Sequence, residues 1–96
     1  MRAGEHKRVV ITGLGVIAPN GNGVANFEAA LRKGQSGIKS QESMIEAKFG
    51  CTVAGTPEGV DELCDATFGA DELMAMNMNH RYASLAALEA WKDAGL

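Results

Sequence analysis

The chain has 96 residues, 46% of them hydrophobic and 22% charged, which suits one small globular domain and argues against a disordered segment. No apolar run approaches the roughly 20 residues of a membrane helix, and Met1–Lys7 lacks the apolar core of a secretory signal, so a membrane is excluded and a cytoplasmic location is the default. The net charge of −3 is unevenly divided: residues 1–48 carry +3 and residues 49–96 carry −6, with no Lys or Arg between Lys48 and Arg81, which argues against nucleic acid as a partner.

The first element is Arg8-Val9-Val10-Ile11-Thr12-Gly13-Leu14-Gly15-Val16-Ile17. Its consecutive branched residues predict a central strand covered on both faces, as in a parallel sheet between helical layers. Gly13 and Gly15 strip side chains from one edge, so another backbone, a helix or a ligand could approach closely there. The stretch Ala18-Pro19-Asn20-Gly21-Asn22-Gly23 then forms a turn, because Pro19 cannot donate to a ladder and Asn-Gly favours positive φ.

Val24, Phe27, Ala30 and Leu31 recur at helical spacing, with Asn22 as a candidate cap, Arg32 and Lys33 in the last turn and Gly34 as the left-handed stop. Gln35-Ser36-Gly37-Ile38 reads as a turn with one apolar anchor, and residues 39–48 as an irregular excursion with at most a helical turn. Phe49–Gly55 is a second, short strand, an edge or a hairpin arm, closed by Thr56-Pro57-Glu58-Gly59. Val60–Phe68 and Ala70–Met76 read as two short helices separated by Gly69. The methionines at 74, 76 and 78 read as adaptable packing rather than a metal or cofactor box.

Asn79–Ala94 carries the strongest helical pattern. Ala83, Ala87, Ala90 and Ala94 form a stripe of small residues, flanked by Tyr82, Leu85, Leu88 and Trp91, that predicts a close crossing with another backbone and a helix buried on most sides; the polar positions Glu89, Lys92 and Asp93 cluster near its end, with Lys92 on the solvated side. Gly95 is a natural helix stop, with Leu96 placed for the apolar contact that often follows. A strand apolar on both faces needs neighbours on both sides, and only one weaker strand is available, so residues 1–96 read as an incomplete domain.

Chemical motifs are sparse. Gly13-Leu14-Gly15-Val16-Ile17-Ala18 fits a dinucleotide fingerprint on paper, but Pro19 and the Asn-Gly turn delay the helix that must open at the glycines. Thr12-Gly13 fails the short-chain reductase pattern, which needs a glycine where Ile17 stands. His6 and His80 lack partners at metal-ligand spacing. Cys51 and Cys64 form no C-x-x-C and lie in no nucleophile-exposing turn, so both read as reduced packing thiols. No catalytic, cofactor-binding or metal residue is therefore assigned.

Taken together, Arg8–Asn22, Phe27, Leu31, Gly34 and Ser36-Gly37-Ile38 resemble the N-terminus of the β-ketoacyl-acyl carrier protein synthases. Tyr82-Ala83, Ala86-Ala87-Leu88, Ala90 and Asp93-Ala94-Gly95-Leu96 look like the family's helix ending in Asp-Ala/Ser-Gly-Leu. The likeness is weak only between residues 39 and 78.

The resemblance implies an α/β fold, the N-terminal part of a thiolase-like layered α/β/α/β/α arrangement. Residues 1–96 would be the N-terminal portion of its first half. It implies a cytoplasmic, usually homodimeric acyltransferase of fatty acid or polyketide synthesis, using no cofactor. The reaction is a decarboxylative Claisen condensation of an acyl thioester with malonyl-acyl carrier protein. The family's cysteine and two histidines come later in its chains and nothing here matches their motifs, so the segment alone would be inactive scaffold. Two alternatives stay open: a non-catalytic synthase-like subunit of the chain-length-factor type, which would pair with a related subunit, or a stand-alone interaction module. Several fatty-acid members carry basic residues for the acidic carrier before the last helix, whereas Ala70–Asn77 has none. Docking then uses other surfaces, with Arg81 or Lys92 as candidates, or a different carrier in a specialised polyketide or polyene pathway.

Overall fold

The computed structural model describes residues 4–96, so Met1, Arg2 and Ala3, part of the stretch read against a secretory signal, lie outside the described residues. In chain order the elements are β1 (Ile17–Ala18), β2 (Gly21–Asn22), α1 (Val24–Lys33), β3 (Ile38–Ser40), α2 (Glu42–Glu46), β4 (Val53–Gly55), α3 (Val60–Thr67), α4 (Ala70–Met74) and α5 (Met78–Asp93). The strands form two antiparallel hairpins. In the first, Ile17 faces Asn22 and Ala18 faces Gly21 across the turn Pro19-Asn20. In the second, Ile38, Lys39 and Ser40 face Gly55, Ala54 and Val53. The mixed content is compatible with an α/β class. Among the described residues no helix is long and apolar enough to cross a membrane.

Local chemistry sets the element ends. Gly34 adopts φ 67° after α1, and its N–H and that of Gln35 bond back to the carbonyls of Leu31 (3.1 Å) and Ala30 (2.8 Å), closing the last turn in a Schellman motif. The same motif ends α5, where Gly95 bonds to Lys92 and Leu96 to Trp91. It also ends α2, but there Lys48, a non-glycine residue, holds the left-handed conformation with φ 58°. The N-terminus of α5 is capped by Asn77, whose side-chain oxygen accepts the His80 N–H at 2.9 Å. The two hairpins meet at Pro19, against which Gly37 and Gly55 present bare backbone; a methyl group at Gly55 would lie 2.8 Å from Pro19 Cγ.

Packing is thin. Among the described residues only Ala30 of α1 and Val60 and Cys64 of α3 are buried hydrophobics. The radius of gyration is 17.8 Å, whereas a close-packed chain of this length has about 12–13 Å. The predicted central strand differs most from expectation. Residues 8–16 belong to neither hairpin, and Val9 and Ile11 are 89% and 81% exposed. Only Ile17 is in a strand, and it pairs locally. The apolar run is intact, but no other strand of residues 4–96 lies beside it.

Candidate functional site

The two thiols separate sharply. Cys64 in α3 is fully buried, as expected of a packing residue. Cys51 is exposed and reaches only the nearby Val53 carbonyl, at 3.7 Å, so its expected burial is corrected: it precedes β4 on the open side of the second hairpin. Neither is brought to a histidine by any described contact. Among the described residues no three His, Cys, Asp or Glu side chains converge as a metal site.

Arg81, a sequence candidate for carrier docking, points inward. Its guanidinium donates to the Leu73 carbonyl at 3.2 Å and lies 3.7 Å from Asp61, leaving its side chain 25% exposed. It therefore ties the starts of α3 and α5 to the end of α4. Lys92 remains exposed on α5. Lys39 and Glu58 form an exposed ion pair beside the first hairpin, and the Lys39 hydrogen bond and positive charge hold the Glu58 carboxyl below its ordinary value. Both groups stand in water, so the pair contributes little stability. The pair borders a polar cleft with Asn20, Asn22, Gln35 and Ser36.

The most specific arrangement is the crossing of α5 by residues 13–16. A side chain at Gly13 would meet the Ala90 carbonyl and lie 2.8 Å from the Ala94 nitrogen; one at Gly15 would meet the Ala86 carbonyl. Backbone touches backbone there, as the two glycines allow. The small-residue row that receives them is Ala86, Ala90 and Ala94, spaced one turn apart: Ala90 and Ala94 belong to the predicted stripe, whereas its other members, Ala83 and Ala87, are exposed and Ala86 continues the row instead. Ala87 instead lines a shallow apolar groove with Phe68, Leu88 and Trp91.

Two carboxylates complete the crossing. Asp93 accepts the Leu14 N–H at 3.0 Å, and Glu89 accepts the Val16 N–H at 2.9 Å through one oxygen and the Val24 N–H at 3.1 Å through the other. Glu89 thereby supplies the N-terminal cap of α1 that the sequence assigned to Asn22, whose amide donates instead to the Glu58 carbonyl. In the sequence Glu89 and Asp93 stand out only as polar positions near the helix end, which does not disclose this role, and the expected burial of α5 on most sides is corrected: none of its residues is fully buried. The available signal was the spacing of the two: carboxylates four residues apart on a helix stand about 6 Å apart. Alternate amides of an extended chain stand about 6.6 Å apart, close enough to match.

Comparison with known proteins follows this geometry. Residues 6–96 match the family model described as "Beta-ketoacyl synthase, N-terminal domain". The chain is 34% identical over 90 residues to a 3-oxoacyl-[acyl-carrier-protein] synthase 2 of Vibrio cholerae, covering 94% of this chain and 21% of that protein. It is 33% identical over 92 residues to a protein of the same name from Coxiella burnetii, covering 96% of this chain and 22% of the relative. A Streptomyces coelicolor β-ketoacyl synthase relative named for the actinorhodin polyketide is 33% identical over 93 residues, covering 97% of this chain and 20% of the relative. The chain thus spans about a fifth of the length of the curated relatives it matches. With the family pattern running from residue 6 to residue 96, from before the glycines of the crossing to past the alanines that receive them, the chain belongs to the β-ketoacyl synthase family, in its N-terminal domain.

Proposed function

We propose that residues 1–96 are scaffold of a β-ketoacyl-acyl carrier protein synthase, the N-terminal portion of the first half of a thiolase-like fold. Condensation of an acyl thioester with malonyl-acyl carrier protein then belongs to a longer protein. The family match over residues 6–96 carries this reading. The described residues support it: the one buried thiol is sealed and the other stands alone on the surface, while Val9 and Ile11 lie open, as a strand does that awaits neighbours in a sheet. A nucleophilic thiolate, imidazoles and oxyanion donors must converge for this chemistry, and segments outside these 96 residues would supply them. The longer protein would be cytoplasmic and homodimeric and would take both substrates from a carrier protein.

The carrier would not dock on α3 and α4. Their exposed Asp61, Glu62, Asp65, Asp71 and Glu72 repel an acidic partner, and the nearby cation Arg81 is engaged internally. Docking would use another surface, or the carrier would differ from that of fatty acid synthesis. The test is a condensation assay with acyl and malonyl carrier thioesters. The full-length protein should form β-ketoacyl product, and residues 1–96 alone should form none. Product from residues 1–96 would overturn the scaffold reading, and a folded full-length protein without product would favour a non-catalytic subunit.

A further inference from the structure

Glu89 touches two stretches that are neighbours in space but eight residues apart in the chain. Between Val16 and Val24 lies the whole first hairpin, and its base is closed by the Gly23 N–H bonding to the Val16 carbonyl at 2.7 Å. Directly above that bond, the two oxygens of Glu89 hold the Val16 and Val24 amides. Gly23, with φ 87°, turns the chain so that the second amide faces the same carboxylate; a methyl group added there would lie 3.2 Å from Glu89 Oε2. At the far end, Pro19 is seated against the bare backbone of Gly37 and Gly55, and Asn20 borders the polar cleft.

We propose that Glu89 is a clip that makes the hairpin base and the start of α1 one opening unit, fastened to α5 at Val16 and Val24 and independent of the Asp93–Leu14 tie. The physical basis is that a carboxylate only accepts hydrogen bonds, and both of its oxygens here face backbone donors. Glutamine has the same shape but turns an NH2 group toward one of those donors, so it can serve one amide and must repel the other. Asp93 is a separate tie, since it holds Leu14 alone.

The test is native-state hydrogen exchange with single-residue resolution in the full-length protein. Glu89→Gln should speed exchange at Val16, Gly23 and Val24 together by about tenfold or more, the scale of losing a hydrogen bond to a charged group. Leu14 should stay within about twofold of the parent. Asp93→Asn should do the reverse, releasing Leu14 and sparing the other three. Unchanged exchange at Val16 and Val24, or an equal rise at Leu14 in Glu89→Gln, would overturn the clip. Should Glu89→Gln not fold, the unmodified protein still decides: Val16, Gly23 and Val24 must share one opening free energy, and three different values would overturn the proposal. None of these readings depends on condensation activity, so the clip and the scaffold assignment can fail separately.

Discussion

A single methyl group at position 15 has nowhere to go. It would fall on the Ala86 carbonyl and lie 2.7 Å from the Ala86 carbonyl carbon and 2.9 Å from the Ala90 nitrogen, all of them helix backbone that cannot rotate aside. Gly15→Ala should therefore destabilise the full-length protein by about 1–3 kcal/mol, the usual scale of overpacking. Gly50→Ala is the matched control, because nothing lies within 4 Å of a methyl group there. Denaturant melts should separate the two; equal midpoints would mean that residues 13–16 do not ride on α5. That glycines allow a close approach at 13 and 15 was legible from the sequence. The identity of the approaching group was not, because a missing side chain specifies room and leaves its occupant open.

For the helices, boundary chemistry is local, and part of it was legible: Gly34 and Gly95 stop α1 and α5 as expected, and α1, α3, α4 and α5 lie close to where periodicity put them. The Asn77 cap and α2, in a stretch read as irregular, were not foreseen, and the cap expected from Asn22 is supplied by Glu89. The face of α5 is another matter. Ala90 and Ala94 can continue a stripe through Ala83 and Ala87 or one through Ala86, and helical periodicity cannot tell which meets a neighbour. The glycine crossing selects 86/90/94 and leaves Ala87 and the 60% exposed Trp91 on the outer side of residues 4–96. Ala90→Leu should therefore cost about 1–3 kcal/mol in full-length melts. Ala87→Leu should cost clearly less if the Phe68–Trp91 groove stays open in the longer protein, and equal costs would mean that further chain covers it.

At the scale of the whole molecule, a radius of gyration of 17.8 Å with three buried hydrophobic residues among those described leaves little to drive a cooperative transition. Residues 1–96 expressed alone should unfold without a sharp near-ultraviolet transition, and a two-state melt in a monomer would show that the segment covers its own core. The family, the positions of α1, α3, α4 and α5, the glycine stops after α1 and α5 and the first turn were all legible in the amino-acid sequence, since each rests on residue identity or on interactions a few residues long. Contacts between distant parts of the chain were needed to establish that the apolar run at Val9–Ile11 lies unpaired within the described residues, that Ala86 joins Ala90 and Ala94 in the contact row, and that Cys51 is exposed while Arg81 is engaged. The same contacts make Glu89 and Asp93, legible beforehand only as polar positions near the helix end, acceptors for amides 65 to 79 residues away. Pairing across such separations depends on which surfaces meet, and an acidic residue on a helix carries the same local signature whether it faces water or a backbone N–H.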